Sequence, residues 1–101
     1  NCAVTSANLD LLDACVARQS ALSYHRPKAG PVCQVNFDAA KTRFDSAGDF
    51  ARALLSTSGV QLVTNEDFEA QGSWFRFGAA RQDFPKNLEI FEDALKDAAA
   101  G

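Results

Sequence analysis

Hydrophobic residues recur at helical spacing in three segments of the chain. The first segment covers roughly residues 7 to 19, where Leu9, Leu12 and Val16 fall on one face. Ser6 stands directly before it, and serine is a preferred residue at the N-cap of a helix. This pattern predicts a first amphipathic helix.

Two further segments combine a helical stripe with boundary residues. Ser46, with Asp49 three positions later, resembles a capping box, and Gly59 can end the second helix in a left-handed conformation. Asp83 can cap a third helix that has Pro85 in its first turn, where the missing N–H costs little. The stripe of the second helix comprises Ala47, Phe50, Ala51, Leu54 and Leu55, and that of the third comprises Leu88, Phe91, Leu95 and Ala98.

The segments between the helices have the pattern of short strands. Residues 22–25 and 32–37 alternate between apolar and polar side chains, and a turn with two prolines and a glycine joins them. Residues 60–63 have a third strand pattern, and a polar loop follows at residues 64–71. The stretch at residues 72–81 contains the fourth predicted strand.

One face of the predicted sheet is apolar and the other is mostly polar, because side chains alternate along a strand. The apolar face carries Val35, Phe37, Phe75 and Phe77, and the opposite face carries Gln34, Asn36, Trp74 and Arg76. The order of elements predicts an α+β fold, a small and mostly antiparallel sheet of about four strands with three helices packed on one face. We expect residues 1–101 to form a single domain whose polar sheet face meets water or a partner.

The composition gives no sign of a nucleic-acid or membrane partner. The formal net charge is -3, whereas binding a polyanion needs a clustered surface of lysine and arginine. No apolar run approaches the roughly 20 residues of a spanning helix, and the amino terminus lacks the pattern of a secretory signal. We therefore expect a soluble, unprocessed chain that binds neither nucleic acid nor membrane.

The cysteines and the single histidine predict no metal site and no catalytic residue. Cys2, Cys15 and Cys33 are odd in number and match no disulfide or metal-binding spacing. We expect them to be thiols in a reducing cytoplasm. His25 leaves a zinc site short of ligands, and no third group accompanies a Cys–His nucleophile pair.

Arg76 interrupts the apolar stretch GSWFRFGAAR, and three interpretations fit it. It can stand on the solvated face of the sheet, with its stem along Trp74. It can bind a carboxylate ligand, because a planar and permanently charged guanidinium suits that group. It can also form a protein contact together with Trp74, since both residue types are enriched at interfaces.

The order of motifs resembles a known family. The chain reads NLDLLDACVARQSALSYHRPKAGPVCQVNF, then FARALLSTSGVQLVTNEDF, then GSWFRFGAARQDFPKNLEIFEDALKDA. This order is similar to the closing small domain of fold-type-I pyridoxal-phosphate (PLP) enzymes, the aspartate aminotransferase superfamily. There a helix ends at a Gly-Val step, a strand runs into a loop with an aromatic residue, and a strand carrying an arginine precedes the final helix. The resemblance extends from about Asn8 to Ala98.

The resemblance implies a role for Arg76 and a partner for the chain. Arg76 occupies the position that binds the α-carboxylate of the amino-acid substrate in the family, and Trp74 is assigned to the same substrate-binding site. The lysine, aspartate and phosphate-binding loop that hold PLP belong to the family's large domain. Pyridoxal phosphate is therefore implied for the complete enzyme, with no cofactor bound and no catalysis performed by this chain alone. The implied partners are a cofactor-bearing large domain or chain and an amino-acid or other carboxylate ligand.

One departure from the family lies in the loop before Phe68. The family commonly has a Pro-Gly step there, and this chain has Thr64, Asn65, Glu66 and Asp67. The two acids can repel an anionic substrate or face solvent. The alternative to an enzyme fragment is a stand-alone α+β module that binds a protein or a small ligand without catalysis.

Lesser expectations concern residues around the sheet and the last helix. His25 shares the polar face if Tyr24 points into the core, and a surface position is the simpler interpretation. Arg81 is expected to cap or to pair with Asp83 or Glu89. The acids Glu89, Glu92, Asp93 and Asp97 are expected to form a solvated face, with Lys96 placed for weak pairing with Glu92 and Asp93.

Overall fold

The computed structural model describes residues 2–28 and 30–99, with only the backbone of Cys2. Its helices are α1 (Cys2–Arg18), α2 (Ala47–Ser58) and α3 (Phe84–Ala98), and its strands are β1 (Leu22–Ser23), β2 (Val32–Phe37), β3 (Val63–Thr64) and β4 (Trp74–Gly78). Two short 3₁₀ helices follow β2 and β3, at Ala39–Lys41 and Asn65–Phe68. The strands pair antiparallel in the order β1-β2-β4-β3. The predicted α+β class, with about four strands and three helices, is confirmed.

The boundaries of α2 follow the predicted signals, whereas α1 begins earlier than predicted. Ser46 Oγ accepts a hydrogen bond from the Asp49 N–H at 3.0 Å, and Gly59 ends the helix with a φ of 77°. Left-handed φ values of this kind favour glycine because it has no Cβ. In α1 the helix already starts at Cys2, and Ser6 lies inside it, because neither glycine nor proline stands before Ser6 to interrupt the helix.

Two of the four strands are shorter than the sequence pattern predicts. β1 ends at Ser23, so that Tyr24 and His25 lie outside the sheet ladder. Of the predicted strand at residues 60–63, the ladder contains only Val63, and it continues to Thr64. Residues 60–62 instead line a cleft of about 210 Å³ together with the end of β4 and the start of α3. Ala29, in the predicted turn between β1 and β2, lies outside the described residues.

The helices cover the apolar face of the sheet, as predicted. Val35 and Phe75 are fully buried beneath them. Phe91 of α3 lies across this face, with its ring centroid 5.4 Å from that of Phe75 and 5.2 Å from that of Phe77. Phe50 of α2 completes the aromatic cluster at 5.6 Å from both Phe75 and Phe91. The predicted stripe of α3 is buried as a whole, comprising Leu88, Phe91, Leu95 and Ala98.

The prediction that Glu92 belongs to a solvated face is wrong. Its side chain is buried between α1 and α3 and accepts hydrogen bonds from Arg18 Nη2 at 2.6 Å, Arg18 Nε at 3.0 Å and Gln19 Nε2 at 2.8 Å. These bonds, first of all those from Arg18, lower the pKa of Glu92 from 4.5 to about 2. The end of α1 supplies the compensation that a buried carboxylate requires.

The start of α3 confirms one prediction and corrects another. Pro85 lies in the first turn, as predicted, and Asp83 occupies the N-cap position. The Asp83 carboxylate makes no capping hydrogen bond, however. It accepts from Arg81 Nε at 3.1 Å instead, which is one of the alternatives expected for Arg81.

Candidate functional site

Arg76 lies on the sheet face that the helices leave open. It is exposed in the middle of β4, with Gln34 of β2 and Val63 of β3 directly opposite it in the ladder. Two backbone hydrogen bonds show which residue pairs of the β2–β4 ladder are hydrogen-bonded. They run from Phe37 N to Ser73 O at 2.9 Å and from Ala79 N to Pro31 O at 2.7 Å. Gln34 and Arg76 are therefore a non-hydrogen-bonded pair, the type in which the two side chains lie closest, with Cβ atoms about 5 Å apart.

Trp74 lies on the same face as Arg76, two residues earlier in β4. It is half-buried, and Asn36 of β2 stands opposite it. Its indole Nε1 donates to the Gln71 carbonyl at 3.3 Å, so that its polar edge is occupied within the chain. The sequence prediction that Trp74 and Arg76 share the uncovered face agrees with this geometry.

Phe68 joins these two residues from the 3₁₀ helix that follows β3. Its ring stacks on Trp74 with a centroid distance of 6.0 Å and an interplanar angle of 27°. The Arg76 guanidinium carbon lies 4.5 Å from the centroid of the Phe68 ring, within the range of a cation–π contact. Phe68 remains 50% exposed despite both contacts. The sequence reveals an aromatic residue in this loop but not its contact with Arg76.

Arg76 differs from the other arginines in its hydrogen bonds. Each of the others donates to an acceptor in the chain: Arg18 to Glu92, Arg26 to Asp10 and Asp13, Arg43 to the Asp97 carbonyl, Arg52 to Asp49 and Glu66, and Arg81 to Asp83. Within residues 2–28 and 30–99, Arg76 has no hydrogen-bond acceptor and no carboxylate at ion-pair distance. Its N–H donors are therefore available to an acceptor from outside.

The two acids of the loop are bonded within the chain. Asp67 accepts from the Thr64 N–H at 2.8 Å in a capping box. Glu66 accepts from the Gly48 N–H at 3.1 Å, at the start of α2, and pairs with Arg52. Both acids are exposed, and each accepts a hydrogen bond from a backbone N–H of this chain. Of the two alternatives that the sequence left open, exposure to solvent is the one seen here.

Asn65 holds the two ends of the loop together. Its side chain is buried, its Oδ1 accepts from the Trp74 N–H at 3.1 Å, and its Nδ2 donates to the Ala70 carbonyl at 3.1 Å. The sequence pattern does not reveal this role of Asn65, although Asn is a frequent turn residue that bonds to nearby backbone groups.

The lesser candidates predicted from the sequence lie outside the strands or inside the core. His25 is exposed outside the strands, and the Tyr24 hydroxyl donates to Asp13 rather than facing the open side. Cys15 and Cys33 are buried thiols, and the side chain of Cys2 lies outside the described part of the chain. Among the described residues, no group of three or more His, Cys, Asp or Glu side chains could hold a metal ion.

Comparisons with known proteins agree with the predicted fold. The chain is similar to a PLP-dependent aminotransferase from Streptococcus suis 89-1591, with 27% identity and a TM-score of 0.79. It is also similar to an aminotransferase from Escherichia coli, with 15% identity and a TM-score of 0.80. Each match covers 97% of this chain and 25% of the solved chain. No protein-family model matches the sequence, and no curated protein does.

The predicted resemblance to a small domain of a PLP-dependent aminotransferase is therefore confirmed. The similarity covers nearly the whole chain, which spans about a quarter of the length of the solved aminotransferases. In the part of the chain that the structure describes, no helix is long and apolar enough to cross a membrane. The cytoplasmic location stays a prediction.

The lysines of this chain do not fit a cofactor site. PLP enzymes attach their cofactor to a lysine through a Schiff base, inside a site that orients the cofactor and tunes its chemistry. The lysines here are all on the surface, namely Lys28, Lys41, Lys86 and Lys96. Lys41 Nζ donates to the Ser20 carbonyl at 3.1 Å. No lysine of this chain lies in a buried site of that kind in the structure.

Proposed function

We propose that this chain is the small, substrate-carboxylate-binding domain of a PLP-dependent aminotransferase-like enzyme. The observation that carries the proposal is the state of Arg76: it is exposed on the open sheet face and has no acceptor among the described residues. The fold similarity to two aminotransferases supports the same assignment. In this proposal residues 1–101 form one domain, which does not catalyse the reaction alone.

The chemistry of Arg76 suits an α-carboxylate. A guanidinium has five N–H donors in one plane, stays protonated at all physiological pH values, and can bind both oxygens of a carboxylate in parallel. The charge-assisted bonds gain strength when a partner domain covers the face and lowers the local dielectric constant. Trp74 and Phe68 add apolar surface beside the guanidinium that keeps water away from the bound carboxylate.

The proposed role of the domain in the reaction is orientation. A carboxylate fixed on a rigid strand leaves the substrate little rotational freedom, so that its amino group points in one direction. A large domain, from the same or another chain, holds the cofactor at that position. In this proposal the open face of the sheet, with Gln34, Asn36, Trp74 and Arg76, is the side that meets the large domain and the amino-acid ligand.

The test compares amino acids with their carboxamides. The full polypeptide that carries this chain is prepared with PLP, alone and with a candidate large-domain partner, and amino-acid binding is followed by the visible absorption of the cofactor. Removal of a bidentate charged hydrogen bond costs about 1.5–3 kcal/mol. We therefore expect Arg76→Ala to weaken amino-acid binding by about 10- to 100-fold. Binding of the neutral amide, which has no carboxylate, should change little.

Arg43→Ala is the matched control. Arg43 is also exposed, and its guanidinium carbon lies 5.1 Å from the centroid of the Phe44 ring, so that the variant loses the same charge and the same kind of contact. It should bind amino acids like the unmodified protein. Equal effects of Arg76→Ala and Arg43→Ala would contradict the proposal. A stable, monodisperse protein with no amino-acid-dependent spectral change in either preparation would favour the stand-alone interaction module.

A further inference from the structure

Among the described residues, Phe68 makes a cation–π contact with the Arg76 guanidinium, and no other side chain contacts that group through a hydrogen bond, an ion pair or a ring. The guanidinium carbon lies 4.5 Å from the ring centroid. A cation–π contact of this kind uses the charge above the ring and occupies none of the N–H donors. It can therefore hold the head of the arginine in place while leaving the donors available for a carboxylate.

The Phe68 ring contacts Trp74, and hydrogen bonds hold the loop that carries the ring. Trp74 stacks against it from β4, the same strand that carries Arg76. Within the loop, Asn65 joins the loop ends by hydrogen bonds, and Glu66 ties the 3₁₀ helix to the N-terminus of α2. An exposed aromatic ring in an unsupported loop would move with the loop. This ring instead has a defined position relative to β4.

We propose that Phe68 is a positioning residue that holds the Arg76 guanidinium ready to bind the substrate carboxylate. The inference rests on the proposed function and assigns Phe68 a specific role in it. A free arginine side chain has many rotamers, and a group that is already in place loses less conformational entropy when the ligand binds. Phe68 acts through Arg76, so its loss should weaken carboxylate binding without changing the chemical step.

The first readout is spectroscopic and independent of activity. In the full polypeptide labelled with ¹⁵N-arginine, the Nε–H signal of Arg76 is assigned from its absence in Arg76→Lys. A guanidinium above a phenyl ring experiences the ring current, so the signal should be shifted upfield. Phe68→Leu, which keeps an apolar side chain without the ring, should return it to the position of an exposed arginine. An Nε–H signal of Arg76 that is the same in Phe68→Leu and the unmodified protein would overturn the inference.

The second readout is the split between binding and turnover. Loss of an exposed cation–π contact lowers the affinity about 3-fold, and loss of a desolvated one lowers it about 30-fold. We expect Phe68→Leu to raise the KM for the amino acid within that range and to leave kcat nearly unchanged. Phe68→Tyr, which restores a ring, should recover the affinity. Phe44→Leu removes the ring beneath Arg43 and serves as the control, with KM unchanged.

The outcomes separate the two proposals. If Arg76→Ala weakens amino-acid binding but Phe68→Leu does not, the proposed function stands and the positioning role of Phe68 is refuted. If Phe68→Leu and Phe68→Tyr lose affinity equally, the ring contact is not the cause and the inference fails. If Arg76→Ala itself has no effect on amino-acid binding, the proposed function falls and the positioning role falls with it.

Discussion

Replacement of Glu92 by glutamine should destabilise the protein at neutral pH and much less in acid. Glu92 is 7% exposed, and its pKa of about 2 lies well below the ordinary value of 4.5. A shift of that size corresponds to about 3 kcal/mol of stabilisation by the ionised form. The side chain of Arg18 is 55% exposed, so solvent screens part of the attraction. We expect Glu92→Gln to lower the free energy of unfolding by about 2 kcal/mol at pH 7.

The dependence on pH follows from the direction of the shift. The pKa is lower in the folded protein than in the unfolded chain, so the stabilisation is complete above pH 4.5 and disappears as the pH falls towards about 2. The difference between the unmodified protein and Glu92→Gln should therefore shrink to less than half between pH 7 and roughly pH 3. Other acids titrate equally in both proteins and cancel in this comparison.

Urea unfolding measures this difference through the fluorescence of Trp74, the single tryptophan of the chain. Glu89→Gln is the matched control, because Glu89 is exposed on the same helix. It should change the free energy of unfolding by no more than about 0.5 kcal/mol at either pH. A Glu92→Gln difference that stays constant from pH 7 to pH 3, or that equals the Glu89→Gln difference, would refute the role assigned to the Arg18–Glu92 contact.

Two further predictions concern the thiols and α2. Burial, with a further contribution from the charge of Glu92, raises the pKa of Cys15 to about 12, and burial also raises the pKa of Cys33. Both thiols should therefore resist alkylation by iodoacetamide until urea unfolds the chain. Rapid alkylation of either thiol in the folded protein, measured by site-resolved mass spectrometry, would contradict this prediction. Alanine usually stabilises a helix interior by about 1 kcal/mol relative to glycine. Gly48→Ala, in the first turn of α2, should give less than this gain in urea unfolding, because a Cβ at this position would displace the Glu66 carboxylate from the Gly48 N–H. Recovery of the full gain would show that this hydrogen bond does not stabilise the folded protein.

The sequence was sufficient to predict the elements that depend on residues close together in the chain. Ser46 and Gly59 mark the ends of α2 by their own backbone chemistry, and the alternation around Arg76 assigns the two sheet faces. The burial of Glu92 could not be predicted, because its partner Arg18 is 74 residues away in the sequence. Helical periodicity places Glu92 on a polar face without revealing that another helix end covers it.

In the candidate site, too, the features set by local sequence could be predicted and those set by tertiary contacts could not. The position of Arg76 on the open face follows from the period of a strand. Its lack of an acceptor among the described residues does not, because the acids that pair with arginines such as Arg18 and Arg26 are selected by tertiary contacts. The contact with Phe68 depends on a 3₁₀ helix whose orientation is set by Asn65 and Glu66. Residue types alone contain no signal for that orientation.

The most direct test of the carboxylate-binding role is a crystal structure of the complete enzyme that contains this chain, with an amino-acid substrate analogue bound. The account predicts both carboxylate oxygens at about 2.7–2.9 Å from two N–H groups of Arg76, with the Phe68 ring still against the guanidinium. A carboxylate held by other residues, while Arg76 pairs with an acid of the large domain, would contradict it.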